Sequence, residues 1–371
     1  MEGLLKYLDE QIDAVREHAT AALEAFDEKA VHQARVATRR IKAGLELLDP
    51  LLAKSAKNMG RAGRKLRRRL GPLRDLDVMI GLVAEGSKTD SIAPAIDWLG
   101  TTLQNQRRDA RLADHRGGSK PSKLLGRFDS WWKLRHELQA NLDAIEPLLT
   151  EALHTRFAGF AQQADLISGI TQPAEDAPHI DVHQVRIEGK ALRYTLEMAE
   201  AAGVKLPKKM IRLFKAMQQS LGDWHDHVVL YERTLSLIVD EELALHEPQL
   251  AGTTLDLARS YLNRSIKSLN GFKQQWTKSG GELKAALDEH VPLVVEPDTD
   301  AARPAEESAG ETTAETPVVE PQEDISALED AIVEPSDEDF SESETDLDPQ
   351  PTDSIESSDN PSPDVVQEPP G

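Results

Sequence analysis

A fifty-residue stretch of the chain occurs twice, and this duplication is the strongest constraint on the fold. Residues 31–80 align with residues 182–231 at a constant offset of 151, without a gap, and 14 of the 50 positions are identical. The identical positions include charged residues, such as Arg35 with Arg186, as well as apolar ones. A repeat of this length predicts two equivalent halves related by a pseudo-two-fold axis.

The spacing of apolar residues predicts helices throughout the body of the chain. In residues 3–26, apolar side chains recur at three- and four-residue steps, which is the spacing of one helix face. Similar patterns cover 30–49, 52–71, 74–86, 91–115, 122–143, 147–170, 180–202, 207–221, 223–244 and 248–277, with breaks at Gly and Pro residues. No stretch shows the alternation of a strand. We therefore expect an all-α protein with two bundles of about five helices each.

The charge is distributed so unevenly that it divides the chain into two parts. The whole chain carries a formal charge of −22, but 25 of its 65 acidic residues and only one basic residue lie in 291–371. Such a segment cannot bury enough apolar surface to offset the entropy of ordering, so we expect a disordered acidic tail. The body, 1–290, is expected to comprise a first half at about 1–116, connecting helices at about 117–146 and a second half at about 147–280.

Several classes of protein are disfavoured by the composition. The chain has no cysteine, which excludes disulfides, thiolate nucleophiles and cysteine-ligated metals. Its first residues are charged where a signal peptide needs an apolar core, and no window approaches the roughly 18 consecutive apolar residues of a membrane span. A cytoplasmic protein without a membrane partner is expected.

The repeated segments place basic residues on one side of each predicted helix. In the first repeat helix the basic ridge is His32, Arg35, Arg39 and Lys42, and in the second it is His183, Arg186, Lys190 and Arg193. The helix that follows each ridge carries another, formed by Lys54, Lys57, Arg61, Arg64 and Arg68 in one copy and by Lys205, Lys208, Arg212 and Lys215 in the other. At about 100° per residue, each of the first two ridges spans an arc of only about 80°.

The ridge of the first half is not balanced by acidic residues. Residues 54–69 contain eight Lys or Arg and no Asp or Glu. Like charges at helical spacing destabilise a helix, so a partner that supplies negative charge is expected. Neither ridge contains the aromatic residues that stack on single-stranded bases, and nothing indicates base-edge recognition of DNA. A chain of phosphates fits this pattern better than a nucleic acid.

The histidines and aspartates of the repeat allow a second interpretation. His225 and Asp226 form a His-Asp pair of the kind found in metal-dependent phosphohydrolases. However, the repeat places Arg74 opposite His225, and an arginine does not ligate a metal. We therefore expect no metal or cofactor, and we expect Asp75 and Asp226 to cap the following helix or to orient the neighbouring cation.

The strings VHQARVATRRIK, LGPLRDLDV, VHQVRIEGKALRYTLE and LGDWHDHVV resemble the CHAD domain, the conserved histidine α-helical domain. The resemblance covers about residues 1–280. It implies two pseudo-symmetric helical bundles around a basic central channel that binds inorganic polyphosphate, and association with polyphosphate granules and their proteins. The Glu-x-Glu-x-Lys signature of the CYTH triphosphatase domain, which many relatives carry, is absent from this sequence, so no enzymatic activity is expected.

The ridges and the resemblance together give one set of expected polyphosphate-binding residues. These are His32, Arg35, Arg39, Arg40, Lys42, Lys54, Lys57, Arg61, Arg64, Lys65, Arg68, Arg74, Arg108, His183, Arg186, Lys190, Arg193, Lys205, Lys208, Arg212, Lys215, His225 and Arg259. Two other functions stay open: a metal-dependent phosphohydrolase and a nonspecific nucleic-acid binder. The acidic tail is expected either to compete with ligands for the basic ridges or to form a solubilising brush.

Overall fold

The computed structural model describes residues 1–52, 55–86, 91–117, 121–171 and 181–292, so the acidic tail lies outside the described residues. The helices within these ranges are α1 (Glu2–Glu24), α2 (Glu28–Leu47), α3 (Ser55–Ala84), α4 (Ala93–Gly117), α5 (Pro121–Leu125), α6 (Trp131–Gln139), α7 (Leu142–Ser168), α8 (Val182–Ala201), α9 (Lys208–Asp240), α10 (Leu243–His246) and α11 (Pro248–His290). No strand occurs in these ranges, which confirms the all-α prediction.

Three breaks predicted at Gly or Pro do not occur. Helix α3 continues through Gly71-Pro72, α9 continues through Gly222, and α11 continues through Gly280-Gly281. A proline inside a helix costs about 3 kcal/mol, and the buried leucines on both sides of Pro72 stabilise the helix enough to offset this cost. At Gly280 the missing side chain makes room, because a Cβ atom there would lie 2.9 Å from the Trp276 ring.

The single helix predicted at 122–143 is wrong. The structure has α5, a 3-10 turn at Phe128–Ser130 and then α6. The interruption lets two aromatic side chains, Phe128 and Trp131, become buried in the core. The Trp131 indole nitrogen donates a 2.6 Å hydrogen bond to Asp9 on α1, which fixes the short helices against the first helix of the chain.

The two repeat helices have similar neighbours. Helix α2 packs against α1 and α3, and α8 packs against α7 and α9, while α4 lies beside α3 and α11 beside α9. The equivalent helices also meet, since α2 contacts α8 and α3 contacts α9. One apolar core contains residues from helices far apart in the sequence, among them Leu8 of α1, Leu153 of α7 and Leu196 of α8. The pseudo-two-fold relation and the boundaries of the halves stay predictions.

Replacing Pro72 with Ala is expected to raise the free energy of unfolding by up to about 3 kcal/mol, because alanine restores the missing backbone donor inside α3. Urea denaturation measures the change. The matched control is Pro248→Ala at the first turn of α11, where a proline is already tolerated. If the two variants change the free energy of unfolding by the same amount, the interior position of Pro72 does not destabilise α3.

Candidate functional site

The first basic ridge of each repeat is mostly buried. Arg35 and Arg39 on α2 are 2% and 5% exposed, and Arg186 on α8 is 1% exposed. His32 is half-buried on α2, and the Nζ atom of Lys190 is excluded from solvent. These cations therefore lie at the packing surfaces of α2 and α8, where electrostatic interactions are stronger than in water.

Hydrogen bonds between arginines and backbone carbonyls join α2 to α3. Arg35 Nη1 donates to the carbonyl oxygen of Arg67 at 2.7 Å, and Arg67 Nη1 donates to the carbonyl oxygen of Thr38 at 3.0 Å. In the first bond the donor is on α2 and the acceptor on α3, and in the second bond these roles are reversed. Together the two bonds fix the register of the two helices. Arg67 was not among the predicted site residues, although it belongs to the uncompensated run of cations.

Residues of both repeats meet where α3 packs against α9. Arg74 of α3 is buried, and burial lowers the pKa of its guanidinium. The carboxylates of Asp77, Glu28 and Asp226 act in the opposite direction on this pKa, while Arg39 lowers it further. Side chains from α2, α3 and α9 therefore share one electrostatic environment. Asp226 and Asp75 lie inside helices, so the prediction that they cap following helices is wrong.

The two histidines of the second repeat are in contact. The rings of His183 on α8 and His225 on α9 lie 5.4 Å apart between centroids. The Nε2 atoms of both are excluded from solvent. Among the described residues, no group of three or more potential ligands is arranged to hold a metal ion.

A basic surface lies on α3 and a smaller one lies at the start of α9. The exposed residues Lys57, Arg61, Arg64, Lys65 and Arg68, here called the α3 basic face, lie within three turns of one helix. The second repeat's counterparts of Lys54, Lys57, Arg61 and Arg64 are also exposed and are here called the α9 basic face, namely Lys205, Lys208, Arg212 and Lys215. Lys54 lies outside the described residues. Arg108 of α4 and Arg259 of α11 are exposed and bond to Asn105 and Asp256 of their own helices.

Two predicted site residues are ion-paired with Glu197 of α8 instead, Arg40 from α2 and Arg193 from α8 itself. Arg40 Nε and Arg193 Nε each lie 2.9 Å from a carboxylate oxygen of Glu197, and the hydroxyl of Tyr7 donates to Glu197 at 3.0 Å. Burial alone would raise the pKa of Glu197, but the two arginines outweigh it and hold this pKa below its ordinary value. Arg40 and Tyr7 therefore join α2 and α1 to α8 through Glu197, and Arg193 adds a second positive charge from within α8.

The equivalent pair in the first repeat is more open. Lys42 is exposed and lies 3.6 Å from Glu46, which occupies the place of Glu197 in the repeat. Glu46 also pairs with Arg156 of α7 at 3.9 Å. The acidic residue of each repeat helix thus reaches a helix of the other half.

A second buried ion pair was not predicted. Asp77 of α3 pairs with Arg107 of α4, whose Nη2 also donates to the carbonyl oxygen of Phe26 at 3.1 Å. Burial raises the pKa of Asp77, and the hydrogen bond from Arg107 opposes that rise. This pair joins α3 to α4 and to the loop before α2.

A cleft of about 560 Å³ lies between α3, α4 and α9. Its lining is mostly apolar, and its charged residues are Asp75, Asp109, Glu232 and Arg233. Three acidic residues against one basic residue make this lining unfavourable for a polyanion, so we do not assign the cleft to the basic site. No helix in the described part of the chain is long and apolar enough to cross a membrane.

Comparison with known proteins identifies the family. The family model described as the CHAD domain matches residues 6–235. Among solved structures, the chain is similar to the CHAD domain from the plant Ricinus communis, with 20% identity, 79% of this chain and 92% of that chain covered, and a TM-score of 0.48. It is also similar to PptA from Streptomyces chartreusis, with 16% identity, 74% and 98% coverage and a TM-score of 0.48.

A comparison with curated proteins finds no match. The family model covers more than half of the chain, and it includes both copies of the repeat on which the resemblance was based. The chain therefore belongs to the CHAD domain family, which is associated with polyphosphate.

Proposed function

We propose that this protein binds inorganic polyphosphate without hydrolysing it, and that it associates with polyphosphate granules through this binding. The α3 basic face is the observation that carries the proposal. It presents five exposed cations within about 16 Å of helix, and residues 55–74 contain no acidic residue. The association of the CHAD domain family with polyphosphate supports the same ligand.

The composition of the face favours a flexible phosphate chain. Arginine offers two parallel donors to phosphate oxygens, and lysine offers a mobile point charge. The residues Arg61, Arg64 and Arg68 follow one another at three- and four-residue steps, so they form a line along α3. A linear polyanion can follow such a line and neutralise each charge in turn.

The buried cations extend the site toward the centre of the molecule. Arg74 is on the same continuous helix as the α3 basic face, and it shares its environment with Arg39 and Asp226. In the proposal, the exposed face captures the ligand, and the inner cations add attraction that salt screens less strongly. The α9 basic face contributes less, because the second repeat has the uncharged residues Gln218 and Gln219 where the first repeat has Arg67 and Arg68.

The proposal predicts a specific order of affinities. At one fixed salt concentration, polyphosphate should displace a labelled RNA from the protein at a lower concentration of phosphate groups than duplex DNA or unlabelled RNA does. The reason is that the α3 basic face has no aromatic residue on which bases could stack. Competition measured by fluorescence anisotropy gives the order, and equal displacement by all three polyanions would indicate a nonspecific nucleic-acid binder.

A phosphate-release assay separates binding from catalysis. The full-length protein is incubated with polyphosphate and Mg²⁺ or Mn²⁺, and released phosphate is measured over time. Binding without release is the expected result. Release that is lost in His225→Asn and Asp226→Asn variants would instead establish the phosphohydrolase alternative.

A further inference from the structure

The end of the described chain is held against α7, a helix that also contacts α2. The ring of His154 on α7 lies 2.5 Å from the carbonyl oxygen of Val291, where the helical body ends. Arg156, two residues along α7, pairs with Glu46 near the end of α2. The acidic segment therefore leaves the body beside α7, one helix away from the C-terminal end of α2.

The first turns of α3 lie beside the C-terminal end of α2. The side chain of Leu45, which precedes Glu46, lies 3.9 Å from the position that a Cβ atom would occupy at Gly60. Gly60 is within the first two turns of α3, between the first two residues of the α3 basic face. Helices α7 and α2 thus lie between the origin of the acidic segment and the basic surface, and the 41 residues 293–333 can span up to about 135 Å, which is enough to pass both.

The sequence after residue 292 carries the opposite charge at high density. It contains 25 acidic residues, with Arg303 as its one basic residue. Eight of the acidic residues fall within the fifteen residues 334–348, which contain no basic residue. Fifteen extended residues span up to about 50 Å, which is more than the roughly 16 Å of the α3 basic face.

We propose that residues 334–348 dock on the α3 basic face and compete there with external polyanions. Tethering can raise the effective concentration of such a segment to about the millimolar range. A carboxylate offers two acceptor oxygens and one charge, so each contact is weaker than one with a run of phosphates. The segment therefore yields to polyphosphate and excludes weaker polyanions. Only this competition rests on the proposed function, because docking itself requires no ligand.

Zero-length carbodiimide cross-linking of the full-length protein tests the docking without polyphosphate. The reagent joins a lysine amine to a carboxylate in direct contact, and peptide mapping of the monomer fraction identifies the pairs. We expect Lys57 and Lys65 to be joined to residues 334–348 several times more often than Lys267, an exposed lysine of α11. This excess should disappear between about 50 mM and about 1 M salt, as the Debye length shortens.

A matched pair of variants assigns the contact to the α3 basic face. The triple variant Arg61→Gln, Arg64→Gln and Arg68→Gln keeps both reporter lysines and should remove the excess. The control variant Arg16→Gln, Arg127→Gln and Arg264→Gln removes three exposed cations elsewhere and should keep it. If Lys57 and Lys65 react no more often than Lys267, or if the segment is joined mainly to Lys208 and Lys215 of the α9 basic face, the proposed docking is wrong.

Repeating the cross-linking in the presence of polyphosphate tests the docking and the proposed function independently. Added polyphosphate should lower the yield of the Lys57 and Lys65 cross-links to the level of Lys267. If the cross-links form but polyphosphate leaves their yield unchanged, the docking stands and competition for this face is refuted. If no excess forms while polyphosphate still binds, the proposed function stands and the docking is refuted.

Discussion

Replacing Glu197 with Gln is expected to lower the free energy of unfolding by about 3–5 kcal/mol, which is the usual cost of removing one partner from a buried ion pair. The substitution leaves the guanidinium groups of Arg40 and Arg193 buried without the carboxylate that neutralises them. The Tyr7 hydroxyl can still donate to the amide oxygen of the glutamine, and glutamine has nearly the same shape as glutamate. The loss of stability therefore measures the effect of the missing negative charge. Chemical denaturation measures the change.

The repeat supplies a matched control for this prediction. Glu46→Gln removes the equivalent carboxylate in the first repeat, where Lys42 and Glu46 are about half exposed. Exposed pairs contribute about 0–1 kcal/mol, so this variant should be nearly as stable as the original protein. Equal losses in the two variants would contradict the structural role assigned to Glu197.

The pH dependence of the Glu197 contribution has a defined sign. The pKa of Glu197 is held below its ordinary value of 4.5, so the folded protein binds this proton less readily than the unfolded chain. The stabilisation is therefore fully present above pH 4.5 and is lost as the pH falls through the lowered value. The difference between the original protein and Glu197→Gln should stay constant at neutral pH and shrink only in that acidic range.

Neutralising the α3 basic face should weaken polyphosphate binding by about 10³- to 10⁴-fold at about 0.1 M salt. The estimate assumes that each neutralised charge contributes about 0.7 to the slope of log affinity against log salt, by analogy with single-stranded nucleic acids. Five charges then supply about 3.5 logarithmic units of affinity at about 0.1 M salt relative to about 1 M salt. The variant carries Lys57→Gln, Arg61→Gln, Arg64→Gln, Lys65→Gln and Arg68→Gln. Because all five side chains are exposed, the fold should be retained.

The salt dependence of binding distinguishes this site from diffuse attraction. The slope of log affinity against log salt should become less steep by about 3.5 in the five-residue variant. The control changes five exposed cations elsewhere to Gln, namely Lys6, Arg16, Arg127, Arg264 and Lys267. If the control loses as much affinity and slope as the α3 variant, binding depends on net charge and the proposed site is wrong.

The helical content and the family were readable from the sequence, but several helix ends were not. Apolar spacing identified nearly every helix, because each one buries a stripe of residues against its neighbours. Gly71-Pro72 and Gly222 predicted breaks that the structure does not contain. Local propensity favours a break at such residues, and the packing of buried residues on both sides overrides it.

The candidate site was located by sequence, but its division into buried and exposed parts was not. Spacing shows that Arg35 and Arg39 share an arc of α2, yet it cannot show that α3 and α8 cover that arc. The partner of Arg40 was missed for a related reason, because an ion pair between helices leaves no periodic pattern, whereas Arg193 and Glu197 have the spacing of a pair within one helix. One signal was present: Glu46 and Glu197 are identical between the repeats and lie four residues after a cation.

The packing of α1 against α8 has a consequence for synthesis on the ribosome. Tyr7 bonds to a residue 190 positions later, and Gly3 lies so close to the Ala201 carbonyl that a side chain there would overlap it. The nascent chain cannot complete the burial of α1 until about two hundred residues have been made. The part of the first helix that α8 covers therefore stays exposed to chaperones until α8 has been made, even after α2 has packed against α1, and a product that stops before α8 is expected to be prone to aggregation.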